Sequence, residues 1–204
     1  MAEIRALFWD VGGVLLTNAW DHNQRQRAAV EFGIDLQDFE QRHESVVSAF
    51  ETGKLSLSEY LQQTVFYLKR PFTPEQFEQA IYSQSQANPE ALALARQLAA
   101  SGRYLMSTIN NESAELNAFR IRKFGLREIF DLFVSSCFVG LRKPDPAIYQ
   151  LALSLTQRAP DECCFIDDRP ENLAAPRQMG MHCIRMEGVE RLRDELKQLG
   201  VEVS

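Results

Sequence analysis

Four places in the 204-residue sequence carry side chains suited to joint chemistry, although they lie far apart along the chain. Asp10 ends the apolar run Ala6-Leu7-Phe8-Trp9, and Gly12 and Gly13 follow it. Ser107 and Thr108 close the run that starts at Tyr104. Lys143 opens the stiff turn Lys143-Pro144-Asp145-Pro146, and Asp167-Asp168 terminates Cys163-Cys164-Phe165-Ile166. Three carboxylates gathered at one locus cannot all stay ionised without a cation beside them. Hard oxygen ligands, few in number and leaving room for water and phosphate, suit Mg²⁺. A hydroxyl from Thr108 or Ser107 and the ammonium of Lys143 supply the donor and the positive charge that a phosphoryl group needs. Gly12 and Gly13 permit a sharp turn and let a ligand lie close against bare backbone.

Such a gathering requires the carboxyl ends of several strands to share one edge, as they do in a parallel sheet. From Asn88 onward the pattern predicts alternation: a helix to about Ala100, a strand at Tyr104–Thr108, a helix from about Glu112 to Phe124, and a strand at Leu132–Ser135. A helix from Asp145-Pro146 to about Thr156, a strand at Cys163–Ile166, a helix at Glu171–Met179, a strand at His182–Met186 and a helix from Val189 to Leu199 complete it. Strands alternating with helices predict an α/β fold, a Rossmann-like parallel sheet with helices on both faces.

Segment 17–86 breaks the alternation directly after the first strand. It is helical throughout, with helices expected at Asp21–Phe32 and Leu36–Glu51. A third helix follows the capping box Ser56-Leu57-Ser58-Glu59 and is expected to bury Tyr60, Leu61, Val65 and Leu68; a fourth starts at Thr73-Pro74. Phe32, Phe39, Phe50, Phe66, Phe72 and Phe77 are expected to form the core of this small bundle, with one or two lining a cavity. The chain thus divides into 1–16 plus 87–204 as the α/β core and 17–86 as a helical insert overhanging the ligand edge.

Composition excludes several classes. A net charge of -6 argues against a nucleic-acid binder, and no apolar run approaches the roughly 20 residues that span a bilayer. The four cysteines form no C-x-x-C pair and read as reduced thiols, which, with no leader segment at the N-terminus, predicts a cytoplasmic protein. Oligomeric state has no signature in the sequence.

With these motifs in order, the chain resembles the haloacid dehalogenase (HAD) superfamily in its Mg²⁺-dependent phosphatase branch, and segment 17–86 is similar to that family's helical C1 cap. The resemblance implies catalytic roles for Asp10 as nucleophile, Lys143 and Thr108. It implies phosphoryl binding by Thr108, Asn110, Lys143, Gly12 and Gly13, with Ser107 as the other possible register for the hydroxyl. Mg²⁺ would be held by Asp10, the Gly12 carbonyl, Asp167 and Asp168. The expected partner is a small phosphorylated metabolite, sugar phosphates among the candidates.

One departure stands out. Most family phosphatases carry a second Asp, the general acid/base, two residues after the nucleophile, and here that residue is Gly12. Loss of that group typically removes about 10²–10⁴-fold of rate. Three readings are compatible with the loss: a substrate with a good leaving group, as in a bacterial branch that includes an α-glucose-1-phosphate phosphatase; a phosphate-binding protein with little catalysis; or a 2-haloacid dehalogenase, although dehalogenases do not keep the Asp-Asp pair. Asp21 and His22 are candidates to replace the acid, but read more simply as a solvent-facing helix start. His43 and His182 read as surface and strand residues. Trp20 either packs in the insert or stacks on a sugar ring.

Overall fold

The computed structural model describes residues 2–18 and 20–203. Among these residues the chain forms five strands: β1 Ala6–Trp9, β2 Leu105–Asn110, β3 Leu132–Ser135, β4 Cys163–Asp167 and β5 His182–Arg185. They make one all-parallel sheet in the order β3-β2-β1-β4-β5, so Asp10 leaves the central strand at its carboxyl end. Every residue of β1 is fully buried, as a continuous apolar run sandwiched between two helical layers should be.

Alternate residues of β1 serve the two layers. Leu7 and Trp9 pack with Leu94, Ala95 and Leu98 of α5 (Pro89–Ala100) and with Leu192 and Leu196 of the C-terminal helix Val189–Gln198. Ala6 and Phe8 pack on the opposite face with Ile148, Tyr149 and Ala152 of helix Pro146–Thr156 and Leu173 of helix Pro170–Gln178. The Rossmann-like α/β sheet covered on both faces is therefore as the strand–helix alternation predicts.

Four helices lie between β1 and α5: α1 His22–Phe32, α2 Leu36–Glu51, α3 Leu57–Thr64 and α4 Pro74–Ser83. Side chains cap each start. Asp21 accepts from the N–H groups of Asn23 and Gln24, while the Ser56/Glu59 and Thr73/Gln76 pairs close reciprocal capping boxes. The insert has its own aromatic core, in which Phe50 stacks on Tyr60 with ring centroids 4.2 Å apart and Trp20 meets Phe77 edge-on at 6.0 Å. Leu68 departs from expectation and is 54% exposed, because α3 ends at Thr64 and the chain has left the helical face before reaching it.

The insert joins the core through two strands of chain lying side by side. Thr17 donates its N–H to the Gln86 carbonyl (2.9 Å) and its hydroxyl to the Gln84 carbonyl (2.8 Å), and Gln86 donates back to the Thr17 hydroxyl (3.0 Å). Leu16 and Ala87 form an antiparallel bridge just beneath. Of the helices that follow, α6 (Ala114–Lys123) contributes Leu116 to the core of the insert. The short α7 (Ser136–Val139) was not signalled by the sequence, being too brief for a helical period to show.

Candidate active site

Asp10 lies just past the end of β1, with its N–H on the Ile166 carbonyl of β4 (2.8 Å). Its Oδ1 accepts from the Val11 N–H at 2.7 Å and from Lys143 Nζ at 2.9 Å. Burial pushes the Asp10 carboxyl up to about 7; Lys143 opposes this, and the negative charges of Asp167 and Asp168 add to it.

Lys143 is the hub. Its backbone is gripped on both sides by Asn111, which accepts from the Lys143 N–H (2.8 Å) and donates to the Lys143 carbonyl (2.9 Å). The ammonium bridges Asp10 and Asp167, the latter at 2.6 Å, and is 2% exposed. Burial alone would lower its basicity, but the two carboxylates outweigh that and hold it above the ordinary lysine value. The charged form is the one the geometry stabilises.

The adjacent carboxylates Asp167 and Asp168 differ. Asp167 is fully buried and fully engaged, by Lys143, by the Asn172 side-chain amide (3.0 and 3.1 Å) and by the Arg169 N–H (2.8 Å). Asp168 is half-buried, and its Oδ1 is buried without a hydrogen-bond partner. Burial, with Asp167 alongside, holds its carboxyl above the usual range. One oxygen from each of Asp10, Asp167 and Asp168 can be chosen so that all lie within 4.8 Å of one another. A buried carboxylate oxygen left without a donor is costly, and a hard divalent cation is the kind of partner that such a set could hold. The residues present therefore fit a metal.

The two glycines after Asp10 serve different ends. Gly13 has φ +75°, and a Cβ there would stand 2.3 Å from Asp168 Oδ2, so glycine alone admits the carboxylate. At Gly12 a Cβ would meet Asn18 Oδ1 at 3.1 Å and Arg120 Nη1 at 3.7 Å. The space that an acid at this position would enter is thus bordered by an amide and a guanidinium.

Thr108 and Asn110, both expected as phosphoryl ligands, are buried residues of β2. In β2, Thr108 pairs with Trp9, so Ile109 is level with Asp10 on the Asp10 face, and Thr108 belongs to the Trp9 face. Thr108 is buried and does not line the cavity described below; Ser107 sits on the Asp10 face but one residue pair deeper, level with Phe8. The Thr108 hydroxyl is buried without a hydrogen-bond partner, while that of Ser107 donates to the Thr108 carbonyl (3.3 Å). The strand runs two residues beyond its expected end at Thr108. Asn110 also turns inward: it donates to Asn117 Oδ1 (3.1 Å) and accepts from the Ser135 hydroxyl (2.9 Å), a buried network tying β2 and β3 to α6. Its neighbour Asn111 faces the site instead.

Between this sheet edge and the insert lies a cavity of about 550 Å³. Asp10, Gly12, Asn111 and Lys143 form its floor, while Trp20, Arg25, His43, Phe50 and Glu51 reach it from the insert. Three arginines on its walls are already paired: Arg25 with Glu40 (2.8 Å), Arg120 with Glu112 (2.9 Å) and Arg142 with Glu51 (2.9 Å). Burial pushes Glu112 up to about 7, against the pull of Arg120. The sequence offered no signal for these pairs, since each joins residues from different elements. Asp21 and His22 also border the cavity, Asp21 as the cap of α1 and His22 beside Glu40 (3.2 Å). Trp20 is held in the aromatic core of the insert, with its indole N–H on Tyr60, so packing rather than stacking on a ligand occupies its ring. His43 is buried in the insert and lines the cavity, not the outer surface, because α2 turns that face towards Tyr60.

The chain is 26% identical over 220 residues to bifunctional epoxide hydrolase 2 of Sus scrofa, an alignment covering 98% of this chain and 40% of that one. It is 26% identical over 105 residues to (S)-2-haloacid dehalogenase 4A of Burkholderia cepacia, covering 52% of this chain and 45% of that one. The chain thus spans less than half the length of either relative. Among solved structures it is similar to a HAD family enzyme from Bacteroides thetaiotaomicron in complex with magnesium and inorganic phosphate, with a TM-score of 0.76 and 18% identity over 93% of this chain and 98% of that one. The model of the haloacid dehalogenase-like hydrolase family matches residues 4–180, and the chain belongs to that family of hydrolases.

Proposed function

We propose that the protein is a Mg²⁺-dependent phosphatase that hydrolyses a small phosphorylated metabolite through an aspartyl phosphate on Asp10. The observation that carries this reading is the ammonium of Lys143 bridging Asp10 and Asp167 while a buried oxygen of Asp168 stands without a donor. Val11 and Lys143 hold Asp10 Oδ1, which leaves Oδ2 as the attacking atom. Lys143 neutralises charge on the transferring oxygens, and the helical insert acts as a cap that excludes bulk water. Bound Mg²⁺, held by Asp10, the Gly12 carbonyl and Asp168, would supply further positive charge to the transferring group. Asp167 orients Lys143 rather than taking the metal, since its oxygens are already engaged.

No carboxyl follows Asp10 to protonate the leaving group, which favours anomeric or acyl phosphates that depart as weak bases. A second reading, a phosphate-binding protein of low turnover, draws on Gly12, which stands where an acid/base side chain would be needed. The test is a screen of anomeric, acyl and alkyl phosphates with Mg²⁺ and with chelator, run beside Asp10→Asn. Metal-dependent release of phosphate that disappears in Asp10→Asn supports the phosphatase. Retained Mg²⁺ or phosphate binding with no turnover favours the second reading, and metal-independent chloride release from a 2-chloro acid would replace both with a dehalogenase.

A further inference from the structure

The insert places a chain of three hydrogen-bonding side chains behind the cavity wall, and their roles can be assigned in turn. Trp20 Nε1–H can only donate, and it points at the Tyr60 hydroxyl at 2.9 Å. Tyr60 is wholly buried, and burial holds its phenol above the ordinary tyrosine range, so it keeps its proton. That proton needs an acceptor, and His43 Nδ1 lies 2.8 Å away. An imidazole whose Nδ1 accepts must carry its hydrogen on Nε2. Burial, with the nearby charges of Arg25 and Arg142 acting in the same direction and Glu40 against, lowers His43 to about 4, so the ring is neutral at ordinary pH. His43 lines the cavity, and Nε2 has no protein partner among the described residues. The arginines whose charges reach His43, Arg25 and Arg142, are each matched by a carboxylate, so His43 itself faces no surplus cation; Arg169 also lines the cavity but is not among the charges acting on His43.

We infer that His43, fixed as the Nε2–H tautomer by Tyr60 and Trp20, is the specificity residue of the cap. It donates a hydrogen bond to an uncharged oxygen of the leaving group, so that the substrate is the monophosphate of a neutral, hydroxyl-bearing compound. The inference rests on the phosphatase reading for its substrate and on geometry alone for its tautomer, and two measurements separate the two. Long-range ¹H–¹⁵N correlation spectra of the unmodified protein near neutral pH should show His43 protonated on Nε2 only. A proton on Nδ1 overturns the inference whether or not the protein turns anything over.

The second measurement compares α-glucose 1-phosphate with acetyl phosphate, whose small leaving group carries no hydroxyl. His43→Ala should lower kcat/KM for the sugar phosphate about 3- to 10-fold more than for acetyl phosphate. His43→Gln, which keeps an N–H donor, should recover part of the difference. An equal loss on both substrates overturns the specificity role. Failure of the phosphatase reading itself would look different: the unmodified protein would release phosphate from neither compound, and the tautomer spectrum would then decide the assignment alone.

Discussion

The carboxylate of Asp168 rests against the bare α-carbon of Gly13, so closely that a methyl group there would stand 2.3 Å from Oδ2. This contact couples the turn after Asp10 to the carboxylate that has a buried oxygen without a donor. Gly13→Ala must displace Asp168 and must also place an L side chain at φ +75°, a strain of about 1–2 kcal/mol. The expected result is a melting temperature lower by about 3–8 °C and a rise in the Mg²⁺ concentration needed for half-maximal activity. Calorimetry and a Mg²⁺ titration check both.

Lys143→Met removes the cation between Asp10 and Asp167 and leaves mutually repelling, buried carboxylates. Breaking a buried ion pair from one side costs about 3–5 kcal/mol. The variant should be inactive and less stable, and millimolar Mg²⁺ should raise its melting temperature more than that of the unmodified protein. Equal shifts in the two proteins would show that the carboxylates do not share a cation site.

Gly12 has no left-handed φ, so a side chain is allowed there once Asn18 yields a few tenths of an ångström. Gly12→Asp should restore a proton donor to the leaving group. Turnover of alkyl phosphates is expected to rise at least tenfold, within the range of about 10²–10⁴-fold that such a group supplies, while anomeric phosphates gain less. A ratio of the two rates that does not change would mean that proton donation is not what limits the alkyl esters.

The depressed His43 also predicts a pH dependence of stability. Its unfolded value is 6.5 and its folded value about 4, so between these the unfolded chain binds a proton that the folded chain refuses. Stability is then complete above pH 6.5 and falls as the pH drops through that window, by up to about 3 kcal/mol. His43→Gln should flatten this slope, as read from urea midpoints at pH 7 and pH 4.5.

What could be read from the sequence was whatever local pattern determines. The apolar run before Asp10, the Pro-bearing helix starts at Thr73, Asn88 and Asp145, and the Ser56 capping box predict elements whose starts lie within a residue or two of those expected. These signals depend on neighbours along the chain. Thr108 shows the limit: the strand was recognisable, but its pairing with Trp9 of β1 is a contact between distant segments that no local pattern sets. Asn110 and Asn111 show it again, since only the sheet decides which of two adjacent amides meets the buried Ser135 and which grips Lys143. The walls of the cavity were hidden for the same reason, as Arg142 finds Glu51 and Arg120 finds Glu112 only after folding.

The paired crossing at Thr17 and Gln86 carries a consequence of its own. Because the chain departs and returns at one seam, stitched by Thr17 to Gln84 and Gln86, the insert interrupts the sequence without interrupting any strand of the sheet. The seam is not the only tie between the two parts, because Leu116 of α6 packs in the core of the insert and Glu115 accepts from the Leu57 N–H. A transplanted insert would have to keep the surface that meets Leu116 and Glu115 if the two parts are to dock.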